Sequence, residues 1–185
     1  MKMLPFLAIP IAFICHAEPV ITQARFEASK IFKDLGLNPQ TALQGHNGWG
    51  VTYRGKVGDG KEGSLEIQLH LVESPYLNVK GPVIKSIRVK LLKDSPKPFA
   101  EDSKDSTARM NTLDGLLELE SPSPEYKDTI IKVCAKAEAV TDKEDAFDQD
   151  LEMRGEGFLT SVMGLPKYTL LLIRPDYDEA MGKKQ

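Results

Sequence analysis

Apolar and polar residues alternate most cleanly between Leu65 and Leu71, where Leu65, Ile67, Leu69 and Leu71 are separated by Glu66, Gln68 and His70. A period of two puts successive side chains on opposite faces, so this stretch predicts a strand with one dry face. Upstream, Trp49, Val51, Tyr53 and Val57 alternate with Thr52, Arg54 and Lys56, and the glycine-rich turn from Gly58 to Gly63 joins the two runs. Holding both apolar sets on one face allows a register that sets Tyr53 against Leu69 and Lys56 against Glu66. A third strand from Val83 to Lys93 turns Ile87, Val89 and Leu91 inward and Ser86, Arg88 and Lys90 outward. The three runs predict an antiparallel meander.

Before the meander the period changes to that of a helix. Ile21, Ala24, Ala28, Ile31, Phe32 and Leu35 recur at helical spacing, which predicts one helix from about Val20 to Leu35. Gly36 stands where a left-handed cap is wanted, Leu37 can fold back on the last turn, and Pro39 blocks continuation.

After the meander, Asp94 to Thr107 turns polar and predicts a long surface loop. Met110, Leu113 and Leu117 suit a helix, but Asp114-Gly115 followed by Leu-Leu-Glu-Leu-Glu suits a hairpin, and the balance favours a strand from Leu116 to Glu120. From Thr129 to Thr141 the same conflict recurs. Ser123-Pro124-Glu125 is a helix start, yet Ile131, Val133, Ala135, Ala137 and Ala139 alternate with Lys132, Lys136 and Glu138, which favours a strand. Phe158 to Met163 and Tyr168 to Ile173 flank Gly164-Leu165-Pro166-Lys167 and predict a hairpin. Leu170 to Ile173 is apolar on both faces, so it should be a central or well-covered strand. Asp176 to Gln185 reads as a polar tail.

The N-terminus carries a different kind of pattern. Lys2 precedes an apolar stretch from Leu4 to Ile14, which runs into Cys15-His16-Ala17. That order predicts a secretory signal peptide over residues 1–17, leaving a single α+β domain over 18–185. Pro5 and Pro10 disfavour a buried helix, the run is about half the length of a membrane span, and Ile14 stands where a lipoprotein signal wants a small residue. The predicted location is therefore exported, periplasmic or secreted, in a bacterial envelope.

Composition narrows the function classes. The chain has 185 residues and a formal net charge of −3, one unit more negative once Lys2 is removed. A mild acidic excess with mixed signs argues against a nucleic-acid partner, and no basic amphipathic helix suggests stable membrane attachment after cleavage. With Cys15 in the signal, Cys134 is alone in the mature chain and is expected to be a small buried apolar residue.

Motifs for chemistry are missing. No Gly-x-Ser-x-Gly elbow occurs, no serine is followed three positions later by lysine, and Cys134 has no local nucleophile signature with His46 or His70. Those two histidines lie too far apart for a zinc motif. The acidic cluster Asp142, Glu144, Asp145, Asp148, Asp150 and Glu152 fails as an EF-hand because Met153 occupies the position that needs glycine, and it reads as a solvated loop. Gly155 and Gly157 follow no strand–helix pattern. No catalytic, cofactor-binding or metal-binding residue is assigned, and no cofactor is expected.

The resulting expectation is an α+β fold with an N-terminal helix packed on an antiparallel sheet of about six to eight strands; cystatin-like and open-barrel-like arrangements both fit. The function expected is a non-enzymatic exported module that binds an envelope protein, a peptide or a small ligand. The alternatives are a hydrolase-like envelope enzyme with scattered site residues, or a structural envelope component. The meander face turned away from the helix would carry Thr52, Arg54, Gln68, His70, Ser86 and Arg88. Of these, Arg54, His70 and Arg88 are the partner-binding candidates, suited to acidic or carbonyl-rich groups.

Overall fold

The N-terminal helical segment breaks where a side chain competes for backbone groups. Helix α1 (Gln23–Ala28) is capped by Thr22, and α2 (Lys30–Asp34) by Ser29. The Ser29 hydroxyl donates to the carbonyl of Phe26 at 2.6 Å and accepts from the amide of Phe32 at 3.3 Å. A serine that satisfies its own neighbours in this way offers the backbone an alternative to the helical ladder. The single predicted helix is therefore two short ones. The stop signal reads as expected: Gly36 has φ +56°, its amide bonds the carbonyl of Lys33, and Leu37 bonds that of Phe32 and is buried.

The computed structural model describes residues 22–45, 48–57, 63–74, 81–93, 104–140, 146–152 and 157–175, with the backbone alone at 38–45, 48 and 104–106. The predicted signal peptide, His46, Asp142, Glu144, Asp145, the polar tail and most of the 94–107 loop lie outside the described residues. Residues 104–107, placed in that loop by the sequence pattern, begin a helix.

Strands β1 (Asn38–Gly45), β2 (Gly48–Gly55), β3 (Leu65–Glu73) and β4 (Pro82–Leu92) form a meander. Helices α3 (Lys104–Leu117), extended by a 3-10 turn at Glu118–Glu120, and α4 (Pro124–Glu138) follow. Then come β5 (Phe147–Leu151), β6 (Phe158–Leu165) and β7 (Tyr168–Pro175). The seven strands make one antiparallel sheet in the order β1-β2-β3-β4-β7-β6-β5, which does not close into a barrel. The class is α+β, as the pattern of elements predicts.

Four corrections to the sequence reading have identifiable causes. The β2–β3 register sets Tyr53 against Ile67 and Arg54 against Glu66, two residues from the expected pairing of Tyr53 with Leu69 and Lys56 with Glu66. Such a slip keeps every side chain on its face, so the hydrophobic pattern cannot detect it. The loop closure decides it: Gly63 donates to the carbonyl of Gly55 at 2.9 Å, and the Ser64 hydroxyl accepts from the amide of Val57 at 3.0 Å.

Residues 110–120 are helical, not a strand. Arg109, Thr112, Leu113, Leu116 and Leu117 form the buried stripe, and Gly115 sits inside the helix because α2 packs there. A Cβ on Gly115 would come within 2.7 Å of Ile31 Cδ1.

Residues 129–138 are likewise helical. Tyr126, Ile130, Val133, Cys134 and Ala137 recur with the helical period and are buried, whereas Ala135 and Ala139 are exposed. The start signal was the informative part: Ser123 caps the helix and Pro124 opens it.

Finally, Asp148 and Asp150 lie on an edge strand, not in a loop. Edge strands commonly carry charge as protection against further pairing, which makes them resemble loops in sequence.

The helices cover one face of the sheet. Phe26, Phe32 and Tyr53 pack with ring centroids 5.4–5.6 Å apart, and the Tyr53 hydroxyl donates to Glu27 at 2.7 Å. Helix α4 lies so close to β6 that a Cβ on Gly164 would come within 2.4 Å of the carbonyl oxygen of Ala137. Lys93 caps that helix end by donating to the carbonyls of Ala137 and Val140. Between the layers sit Ile67, Leu69, Ile87, Val89, Val162, Leu171 and Ile173, all fully buried. Cys134 is buried with them as a free thiol, as expected, and burial pushes its pKa up to about 12.

Candidate functional site

Because strand residues alternate, burying the odd-numbered positions of β2, β3 and β4 commits the even ones to the opposite face. Among the described residues no element covers that face. Two cross-strand rows define it. One runs Arg54, Glu66, Lys90, Leu170, Met163 and Asp148 from β2 to β5. The next runs Thr52, Gln68, Arg88, Leu172, Ser161 and Asp150.

All six polar residues expected on this face are there. The three partner-binding candidates share it without converging. Arg54 is on β2, Arg88 is on β4 one row along, and His70 is on β3 one row further, opposite Gly50 and Ser86. Strand and residue spacings put Arg54 about 12 Å and His70 about 8 Å from Arg88. Arg54 is an exposed side chain in an ion pair with Glu66 at 3.5 Å. Gln68 reaches over Gly50, where a Cβ would lie 3.8 Å from its amide nitrogen.

The sequence reading missed the apolar centre of this face. Leu170 and Leu172 on β7 and Met163 on β6 are half-buried there, and Leu92, at 36% exposure, faces Tyr168. The signal was present in the two-faced apolar run from Leu170 to Ile173. It pointed to a central strand, and β7 is one, but its outer residues have no protein layer above them among the described residues. Lys90 holds its ammonium 4.9 Å from the centre of the Tyr168 ring.

His70 and Ser86 are cross-strand partners, and no hydrogen bond joins them among the described residues. Among the described residues no three His, Cys, Asp or Glu side chains gather where a metal ion could be held, and no helix is long and apolar enough to cross a membrane.

The unusual electrostatics lie elsewhere. Arg109 and Glu138 form a buried ion pair at 2.7 Å, and the guanidinium also donates to the carbonyls of Leu91 and Leu92, tying α3, α4 and β4 together. Glu120, after α3, is buried with one carboxyl oxygen unbonded, and burial raises its pKa from 4.5 to about 8. The hydroxyls of Thr160 and Thr169 are also buried and unbonded. Tyr53 titrates far above its ordinary range because of burial and then its bond to Glu27.

Comparison with protein families, curated proteins and solved structures finds no match to this chain. Function has to be argued from the face itself.

Proposed function

We propose that this chain is a non-enzymatic binding module exported to the bacterial envelope, and that the open sheet face is its recognition surface. The observation that carries the reading is the asymmetry of the sheet: among the described residues the helices pack on one face, while the other keeps an apolar centre among planar donors and charges. An uncovered apolar patch rimmed by polar groups is a common mark of an interaction surface. The surrounding Arg54, Arg88, Gln68 and His70 supply donors for carbonyl or carboxylate groups. Export rests on the signal pattern at residues 1–17.

Two measurements test the reading. Intact mass of protein recovered from an exporting host should show a mature N-terminus at Glu18. Retained Met1, or a lipid adduct on Cys15, would remove the cleaved-signal part. Capture from envelope extract should fall when Arg54→Ala and Arg88→Ala are combined, with the fold unchanged by circular dichroism. Unaltered capture would take those two cations out of the surface.

A further inference from the structure

The order of charges across the open face selects one kind of occupant. The β2–β4 side carries three cations, Arg54, Arg88 and Lys90, against one acid, Glu66; the β7–β5 side carries two acids, Asp148 and Asp150, against one cation, Arg174; and Leu170, Leu172 and Met163 stand between. A partner of uniform charge would meet repulsion at one end. A second copy of the same surface, turned so that its ends are exchanged, would meet attraction at both.

We infer that the open face is the self-association surface of a homodimer, with the two-fold axis parallel to the strands and passing between β4 and β7. This rests on the reading of that face as a binding surface and names its partner. A closed two-fold interface must be self-complementary. Rotation about this axis exchanges β4 with β7, β3 with β6 and β2 with β5. It sets Arg54 opposite Asp148 of the other copy, Thr52 opposite Asp150, and Leu92 opposite Tyr168. The aliphatic stems of Lys90 and Arg88 then lie on Leu170 and Leu172. Within each copy Asp150 holds Arg174 and Arg54 holds Glu66, each at 3.5 Å, so Asp148, in no ion pair among the described residues, comes to Arg54 of the other copy as a second carboxylate.

The alternative in-plane axis, perpendicular to the strands, lays each strand over its own copy and sets cations against cations and acids against acids. Sheet twist does not oppose the chosen arrangement. A twisted sheet is a saddle, and a half-turn about its strand direction returns the same saddle, so the two faces nest at the usual sheet-to-sheet spacing.

The test is sedimentation of the purified full chain over a wide concentration range, in low and high salt. A monomer–dimer equilibrium weakened by salt is expected. Leu172→Lys should raise the dimer dissociation constant by at least about tenfold, since it sets an added cation against Arg88 of its own chain and Arg88 of the other copy. Arg54→Glu and Asp148→Arg should each raise it by about fivefold, and the two together should restore it to within about twofold. Within one copy these residues are five strand spacings apart, about 24 Å, so the rescue reports contact between copies. The charge exchange involves exposed side chains and decides the matter even if Leu172→Lys fails to fold.

A chain that stays monomeric throughout overturns the inference, as does a dimer that tolerates Leu172→Lys or shows no rescue. A monomer whose envelope capture still depends on Arg54 and Arg88 overturns the dimer while leaving the binding-module reading in place.

Discussion

The two faces of the sheet are built by the same strands, one residue out of phase, and they tolerate change very differently. Leu69 points into the packed layer under the helices, whereas its neighbour Gln68 points away from it. On the covered face a charge has no water and no partner. On the open face it has both. The comparison can be broken most directly by placing one charge on each side. Leu69→Lys should destabilise the fold by at least about 4 kcal/mol in denaturant titration, because it buries an ammonium among leucines and isoleucines. Gln68→Glu, opposite Arg88, should stay within about 0.5 kcal/mol of the parent. Equal effects from the two would mean that the faces are assigned wrongly.

The same contrast holds for ion pairs. Arg109–Glu138 is buried at 2.7 Å, and Arg54–Glu66 is exposed at 3.5 Å. Arg109→Met leaves a buried carboxylate without its partner and should cost about 3–5 kcal/mol. Combining it with Glu138→Leu should recover much of that loss, since no lone charge then remains. Stability of the two variants, measured side by side, separates the penalty of an orphaned charge from the worth of the pair.

How much of this was legible in the sequence follows from what each face demands. Strands with one buried face announce it by alternation, so β2, β3 and β4 could be read directly and the side of Arg54, His70 and Arg88 came with them, whereas β6 and β7 were read from the turn between them. Register did not come with the pattern, because a slip of two preserves it and Ser64 and Gly63 set the register through backbone bonds. Strand β1 carries Pro39 and polar residues with no alternation, and β5 carries two exposed aspartates; each is an edge, where burial leaves little imprint. In α4, the β-branched residues Thr129, Ile130, Ile131 and Val133 imitate a strand, and tertiary packing against Gly164 overrides that local preference. The apolar centre of the open face went unread as a surface because Leu170 and Leu172 are indistinguishable in sequence from Leu171 and Ile173, which are core.

Glu120 sharpens the comparison in a different direction, being a titratable group inside the covered layer. Its folded-state pKa of about 8 lies above the ordinary 4.5, so the folded protein holds a proton that the unfolded chain has released. Stability from this group is fully present below about pH 4.5 and is lost as pH rises to about 8. Glu120→Gln, neutral at every pH, should therefore gain on the parent by a few kcal/mol across that window and keep a constant lead above it. Parallel curves of unfolding free energy against pH would show that water reaches the carboxylate.

The smallest expected effect belongs to the open face, and it also distinguishes stability from association. Arg54→Ala with Arg88→Ala removes one exposed ion pair and one exposed cation. Exposed pairs contribute at most about 1 kcal/mol, and salt screens even that. Thermal unfolding of dilute protein should accordingly show parent and variant melting within a few degrees of each other, with the difference gone at high salt. Concentration adds the discriminating axis. If two copies bind through this face, mass action makes the parent's melting temperature climb with protein concentration. The variant should climb less, because the Arg54 contact to Asp148 of the other copy is gone. Equal melting at low concentration with divergence at high concentration would assign both arginines to the contact between copies. A gap already present in dilute protein would assign them to the stability of the single chain, and the open face would then resemble the covered one more than its exposure suggests.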